Sequence, residues 1–271
     1  MNRIISLLVL LLTLSCEHDK PKQDNSDAKG IDIETTRNKE QHGFLLDSSA
    51  YFVDSVVRSF VEFSIQTLPN ENYTYEIYQA SLNPDQITDA IISVNRCAYA
   101  KEKAESSGYL SQAENVGFMG PFNLFIFYDG ASNTFTMPVP VPSSPLLPLS
   151  ISFENISSNR HKDLVVDFRI RNSSYKEIYF LFNNKPSKVF QWKNFDGLGT
   201  KESEAYGFEF NPGNGRVRDI VVYNAQIKAP KAEIDPFIYK PEILNSTELL
   251  KNFFYVPAQG KYFSTKNGLE E

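Results

Sequence analysis

The chain has 271 residues, and its hydrophobic content of 41% is enough for one large or two small domains with a packed core. Its 27 basic and 33 acidic residues give a formal net charge of −6, and no run of the sequence concentrates Lys and Arg. We therefore expect no nucleic-acid partner, because nucleic-acid binding needs a basic surface.

The N-terminus has the pattern of a bacterial export signal. Arg3 gives a positive start, and the apolar run over 4–14 is too short to cross a bilayer, which needs about 20 residues. The run ends in Thr-Leu-Ser-Cys over 13–16. A small residue directly before a cysteine resembles the lipobox of bacterial lipoproteins, in which the peptide is cut before the cysteine and the thiol carries diacylglycerol. Thr13 stands where that motif usually has leucine, and an ordinary secretory signal is the alternative.

The lipobox resemblance implies a signal peptide over 1–15 and a lipid anchor at Cys16, with palmitate-type acyl chains in a membrane of the bacterial cell envelope. The acidic residues that follow resemble the surface-export signal of Bacteroidetes lipoproteins, which implies the outer membrane, on its periplasmic or its surface side. Residues 16–43 are charged and almost without apolar partners, so we expect a flexible tether. The folded domain is then 44–271. Inside it, Cys97 has no disulfide partner and is either a small buried hydrophobe or a reactive thiol.

The first element of the domain is an N-terminal helix over 47–66. Its Asp-Ser-Ser start can cap a helix, and apolar pairs then recur every four residues, although the β-branched content leaves a strand as the alternative. Alternation predicts a strand over 73–78, and the polar segment 98–107 fits either a short helix or a loop. A hairpin follows over 123–136, with Asp-Gly as its turn.

The second half of the chain continues in short strands. Five prolines between 138 and 148 predict an extended connector that joins no central strand. A second hairpin is predicted over 178–192, and a short helix over 246–252. The high aromatic content, with 21 Phe and 14 Tyr, agrees with a structure that is mainly β.

A polar loop that runs into a β-branched strand occurs three times. In each copy an aspartate marks the start of the strand, and these marker aspartates are Asp89, Asp163 and Asp219. The order of loop, strand and hairpin is the same after the first two markers. The pattern indicates an irregular repeat with insertions.

The loops resemble the Asp-x-Asn-x-Asp-Gly-x-x-Asp loop of FG-GAP/VCBS-type repeats, which occur in integrin-like β-propellers and many exported bacterial proteins. In that family alternate oxygen ligands converge on calcium, and a strand of the Asp-Leu-Val-Val type follows, as at 163–166 here. The resemblance implies a mainly β fold of degenerate repeats, either propeller-like or an open antiparallel sheet, with one N-terminal helix. It also implies a calcium loop with Asn83, Asp85 and Asp89 as ligands.

The loops depart from the family pattern at charged positions. In the first copy Ser81 stands in place of the first acid and Gln86 in place of the loop glycine. In the second copy these positions are Asn155 and Arg160. The alternative to a calcium site is therefore a turn in which Asx side chains bond their own backbone and no metal binds.

No standard catalytic motif is present, whether a nucleophile elbow, a phosphate-binding Gly-rich loop, a His-Glu-x-x-His or a Cys-x-x-Cys. We therefore expect a non-catalytic binding or scaffold protein of the cell envelope, with an unidentified protein or glycan partner. The alternative is a hydrolase of envelope or extracellular glycans that uses a pair of carboxylates, with Trp192 stacking on a sugar.

Overall fold

A computed structural model describes residues 54–213, 215–230 and 232–264, which all belong to one compact unit, Ser48–Glu271. The predicted signal peptide, Cys16 and the tether lie outside the described residues, as does the start of the predicted N-terminal helix. None of the helices in the described ranges is long and apolar enough to span a membrane.

The protein is mainly β, as the sequence predicts, and its sheets are antiparallel. The elements, in chain order, are α1 (Asp54–Ile65), β1 (Thr74–Ala80), β2 (Asp89–Asn95), α2 (Cys97–Ser106), α3 (Leu110–Asn115), β3 (Gly120–Asp129), β4 (Thr134–Phe135), β5 (Val139–Ser143), β6 (Ser150–Glu154), β7 (Asp163–Ile170), β8 (Ser173–Phe182), β9 (Lys185–Asp196), β10 (Glu204–Asn211), β11 (Asp219–Ile227), β12 (Ile243–Val256) and β13 (Lys261–Ser264).

The strands form three successive meanders of four. The first meander is β1–β4, in which β5 pairs with the early part of β3. The other eight strands form one sheet, but β9 and β10 are joined only by the pairs of Glu204 with Asp196 and of Ala205 with Phe195. The second meander is therefore β6–β9 and the third is β10–β13. Among the described residues these strands do not close into a propeller.

The meanders pack face to face in chain order, with α1 on the outer face of the first. Val57 and Val61 stand one helical turn apart and are buried against Ile92 and Ile126 of the first meander. This apolar stripe confirms the predicted helix for its described part.

Two aromatic pairs show how the meanders meet. Phe125 of the first meander and Tyr179 of the second pack edge to face, with their ring centroids 5.0 Å apart. Phe190 of the second and Phe253 of the third do the same at 5.1 Å. The second meander is thus covered on both faces, which explains why 163–166 reads as an unbroken apolar run after its aspartate.

Three local expectations are settled by the strand pairing. The predicted helix at 246–252 is wrong, because this segment lies inside β12, whose ladder with β11 runs from Ile243 to Phe253. Backbone bonding to a neighbouring strand outweighs the weak helical preference of the segment.

The polar segment 98–107 is largely helix, since α2 spans Cys97–Ser106. The sequence pattern did not predict α3, which is a further helix. The proline-rich connector contains the edge strand β5, as its lack of backbone donors allows.

Candidate functional site

The three polar loops lie side by side at one edge of the meanders. We call them the first loop (81–88), the second loop (155–162) and the third loop (211–218). The Lys162 N–H donates to the carbonyl oxygen of Ser81 at 2.8 Å, and the Arg218 N–H donates to that of Ile156 at 2.9 Å. In both bonds the donor is the residue directly before a marker aspartate, so the loops are joined in the same way twice.

Asp163 fastens the second loop to the strand that follows it. Its carboxylate accepts the N–H of Ile156 at 2.9 Å, the N–H of Ser157 at 2.6 Å and the hydroxyl of Ser157 at 2.7 Å. The side chain is buried, and this burial raises the pKa of Asp163 although the three bonds act in the opposite direction. The marker aspartate is thus a structural acceptor for backbone donors.

The three predicted calcium ligands also accept backbone bonds. Asn83 Oδ1 accepts the N–H of Asp85 at 3.1 Å, and Asp85 Oδ1 accepts the N–H of Ile87 at 2.8 Å. The buried carboxylate of Asp89 accepts the N–H of Leu82 at 2.9 Å and that of Gly130, in the β3–β4 turn, at 3.0 Å. The bonds of Asn83 and Asp85 are those of Asx turns, and Asp89 ties the start of the loop to the β3–β4 turn, so the shape of the first loop needs no ion.

The charge of the second loop does not favour a cation. In the second loop the ammonium of Lys162 donates to Asn155 Oδ1 at 2.6 Å, at the position where the calcium-binding family has its first acidic ligand. Within the described ranges no group of three or more His, Cys, Asp or Glu side chains could hold a metal ion. Calcium binding by Asn83, Asp85 and Asp89 stays a prediction, which a titration can test.

The second and third loops enclose a cleft of about 860 Å³, which we call the three-loop cleft because Pro84 of the first loop also borders it. Its lining residues are Pro84, Ser157, Ser158, Asn159, Arg160, His161, Pro212, Gly213, Gly215, Arg216 and Arg218. Three of them are arginines, and none is Asp or Glu. In a chain with a net charge of −6, the cleft therefore concentrates positive charge, which attracts anions.

The guanidinium groups of the cleft have few partners of their own. Among the residues that the structure describes, Arg160, Arg216 and Arg218 form no ion pair, and only Arg218 makes a side-chain bond, to Asn159 Oδ1 at 3.4 Å. Their donors therefore face the solvent of the cleft. This leaves them free for a ligand.

Two carboxylates lie behind this basic lining. Tyr262 donates its hydroxyl to the carbonyl oxygen of Arg218 at 2.7 Å. Burial raises the pKa of Tyr262, and the negative charges of Asp163 and Asp219 raise it further, so both carboxylates act on the same phenol. They offset part of the arginine charge from below, but they do not line the cleft.

No protein-family model, curated protein or solved structure matches this chain.

The sequence held a signal for this cleft that the search for local Lys/Arg clusters missed. Aligned on their marker aspartates, the second and third loops both have a basic residue three positions before the aspartate, namely Arg160 and Arg216. Both also have one directly before it, namely Lys162 and Arg218. The first loop has neutral Gln and Thr at these two positions. Arg160 and Arg216 are 56 positions apart in the chain, and only the packing of adjacent meanders brings them together.

Two residues that the sequence singled out lie away from the cleft. Trp192 packs edge to face on Phe253 with a centroid distance of 5.2 Å, in the core between the second and third meanders. Cys97 is half-buried as a free thiol at the start of α2, where its N–H donates to Asn95 Oδ1 at 3.0 Å. Neither borders the arginines.

Proposed function

We propose that this protein is a lipid-anchored, non-catalytic binding protein of the bacterial cell envelope and that it holds an anionic ligand in the three-loop cleft. One observation carries the proposal: Arg160, Arg216 and Arg218 line one cleft, and no Asp or Glu of the described residues lines it with them. Like charges held together repel each other, and a bound anion removes that repulsion. In this proposal Cys16 supplies the membrane anchor, and 16–43 is the tether that lets the domain reach its ligand.

Ser157 and His161 line the cleft and Asp163 lies behind it, but these three side chains are not arranged as a catalytic triad. In a triad the carboxylate orients the histidine, and the histidine takes the proton of the serine. Here the Ser157 hydroxyl donates a hydrogen bond to Asp163 Oδ1 at 2.7 Å, and the hydroxyl oxygen lies 3.3 Å from His161 Nε2. His161 Nδ1, which a triad carboxylate would hold, is buried without a hydrogen-bond partner among the described residues. This order of contacts favours binding over nucleophilic catalysis.

The glycan hydrolase alternative has less support. A sugar-stacking role needs an open face of Trp192, whereas this side chain packs against Tyr206 and Phe253. A second cleft, of about 730 Å³, is lined by three acidic residues, Glu233, Asp235 and Glu242, but Trp192 does not line it. The Glu242 carboxylate there is paired with Lys228 at 2.8 Å.

Two experiments test the two parts of the proposal. For the anchor, we expect globomycin to block processing of the wild-type chain, and we expect Cys16→Ser to abolish both processing and membrane retention. Processing of Cys16→Ser by the ordinary secretory route would contradict the lipoprotein assignment.

For binding, the wild-type protein is immobilised and challenged with envelope extract. We expect Arg216→Ala/Arg218→Ala to lose most of the retained material. The matched control is Lys185→Ala/Lys201→Ala, which removes the same two charges from exposed positions outside the cleft. Equal retention by the arginine variant and the wild type would contradict a binding role of the cleft.

A further inference from the structure

The chemistry of the three-loop cleft narrows the class of its ligand. We infer that it binds a sugar that carries a phosphate or sulfate group. This inference rests on the proposed function and adds the identity of the ligand class to it. Three properties of the cleft support it: its cationic groups, its size and its remaining lining.

The cationic groups are all arginines. A guanidinium is a planar fork of N–H donors that matches the oxygens of phosphate and sulfate in pairs, which a lysine ammonium does not do. Arg160, Arg216 and Arg218 are without ion pairs in the described part of the chain, so their charges suit a ligand with more than one negative charge. A phosphate monoester carries more than one negative charge by itself, whereas a sulfated sugar needs further anionic groups to do so.

The size of the cleft excludes a bare inorganic ion as a good fit. Pockets for small organic ligands measure roughly 300–1,000 Å³, and the three-loop cleft, at about 860 Å³, lies in the upper part of this range. A free phosphate bound to the arginines would leave most of this space to water. A phosphorylated or sulfated sugar would occupy more of it and would also reach the lining beyond the arginines.

Besides the arginines, the lining is made mostly of hydroxyl, amide and backbone groups, together with Pro84, Pro212 and the half-buried ring of His161. Ser158 accepts the N–H of Arg160 at 3.0 Å and keeps its own hydroxyl proton for donation, and Asn159 keeps its amide donors. Among the described residues the lining contains no Phe, Tyr or Trp, although the chain has 36 of these residues (21 Phe, 14 Tyr and 1 Trp). Sites for nucleobases use aromatic side chains as stacking platforms. Polar groups without such a platform suit the hydroxyl groups of a sugar.

The test is a calorimetric titration of the full, lipidated chain in detergent. The probes are glucose 6-phosphate, glucose 6-sulfate, inorganic phosphate, glucose and adenosine monophosphate. We expect glucose 6-phosphate to bind at least tenfold more tightly than inorganic phosphate and adenosine monophosphate, and glucose to show no binding at millimolar concentration. Equal binding of glucose and glucose 6-phosphate, or tighter binding of the nucleotide, would overturn the inference.

Variants connect this binding to the arginines. Arg216→Ala/Arg218→Ala should weaken the binding of glucose 6-phosphate at least tenfold, and Arg216→Lys/Arg218→Lys should give an intermediate loss, because charge remains without the fork. Lys185→Ala/Lys201→Ala should bind as the wild type does. Thermal melts of each variant confirm that the fold is kept, and unchanged binding in the folded arginine-to-alanine variant would refute the site.

Further comparisons identify the source of the sugar. They also distinguish a wrong ligand class from a failure of the proposed function. Titration of the full, lipidated chain with a phosphorylated glycolipid dissolved in the same detergent shows whether a lipid-borne sugar phosphate is bound as well as a soluble one. If the cleft retains envelope material but none of the phosphate or sulfate sugars binds in either form, the ligand class is wrong and the proposed function stands. If nothing is retained either, the proposed function fails with it.

Discussion

The replacement Asp163→Ala tests whether the marker aspartate is the structural centre of the second loop. Asp163 is 3% exposed, and its carboxylate accepts two backbone N–H groups and one hydroxyl. Alanine leaves the N–H groups of Ile156 and Ser157 without an acceptor, whereas the Ser157 hydroxyl can rotate to another one. Each buried donor without a partner costs about 1–3 kcal/mol, so we expect the free energy of unfolding to fall by about 2–5 kcal/mol. Domains of this size are stable by only about 5–15 kcal/mol.

Urea unfolding measures this loss, because the single tryptophan, Trp192, lies in the core between the second and third meanders and reports on their separation. The matched control is Asp85→Ala in the first loop. Asp85 is exposed and accepts a single backbone bond, from Ile87 at 2.8 Å, so its loss should cost about 1 kcal/mol. The reasoning is refuted if Asp163→Ala costs no more than Asp85→Ala.

The pH dependence of Asp163→Asn follows from the same burial. Burial raises the pKa of Asp163, so the folded protein keeps this proton at pH values where the unfolded chain, with a pKa of about 4, has already lost it. The contribution of Asp163 to the free energy of unfolding therefore falls as the pH rises from the pKa of the unfolded chain to the pKa of the folded protein. Because asparagine does not titrate, the cost of the replacement should be larger at pH 4 than at pH 7. Urea unfolding at both pH values decides the sign, and a larger cost at pH 7 would contradict the assignment.

Three further predictions concern the rest of the domain. Glu71→Gln should lower the free energy of unfolding by about 3 kcal/mol at pH 7, because it breaks the buried bidentate pair with Arg96 (2.6 and 2.7 Å). The control is Glu242→Gln in the exposed pair with Lys228, which should cost under about 1 kcal/mol. Burial by itself would raise the pKa of Glu71, but its hydrogen bonds and the Arg96 charge outweigh this and lower it, so urea unfolding should show the cost shrinking as the pH falls below about 4. Phe190→Ala should cost about 3–5 kcal/mol in the same assay, since the ring is buried between two meanders, and a cost under about 1 kcal/mol would contradict that packing. Thermal melts with calcium and with chelator should coincide, because the first loop is held by its own backbone bonds, and a higher melting temperature with calcium would instead establish the metal site.

Patterns within one segment predicted the elements well. The apolar stripe of α1, the alternation in β1 and the β-branched runs of β2 and β7 depend on neighbours in the chain, and the structure confirms these elements. The β3–β4 hairpin is present as predicted, but its turn spans the four residues 130–133, with the positive φ at Asn133, and not the Asp-Gly pair alone. The segment 246–252 shows the limit of such reasoning. Its residues suit a helix, but β11 offers a long ladder of backbone bonds that only the folded chain contains.

The candidate site depended on contacts that no local pattern encodes. The marker aspartates were visible in the sequence, but the resemblance to calcium loops drew attention to oxygen ligands, whereas the structure uses these oxygens for backbone N–H groups. The arginines of the second and third loops become neighbours because one meander packs on the next and because the Arg218 N–H bonds to Ile156. Comparison of the repeats at equivalent positions, without reference to a metal, is the step that would have found them.

The most direct measurement of the central claim is photocross-linking in living cells from Asn159, which lines the three-loop cleft. A photoreactive amino acid at this position should give adducts with an envelope component in the wild type, and these should disappear in Arg216→Ala/Arg218→Ala. The same group at Lys185, the exposed first residue of β9, should give none of these adducts. Adducts that form equally from both positions, or that persist without the two arginines, would contradict the claim that this cleft is the binding site.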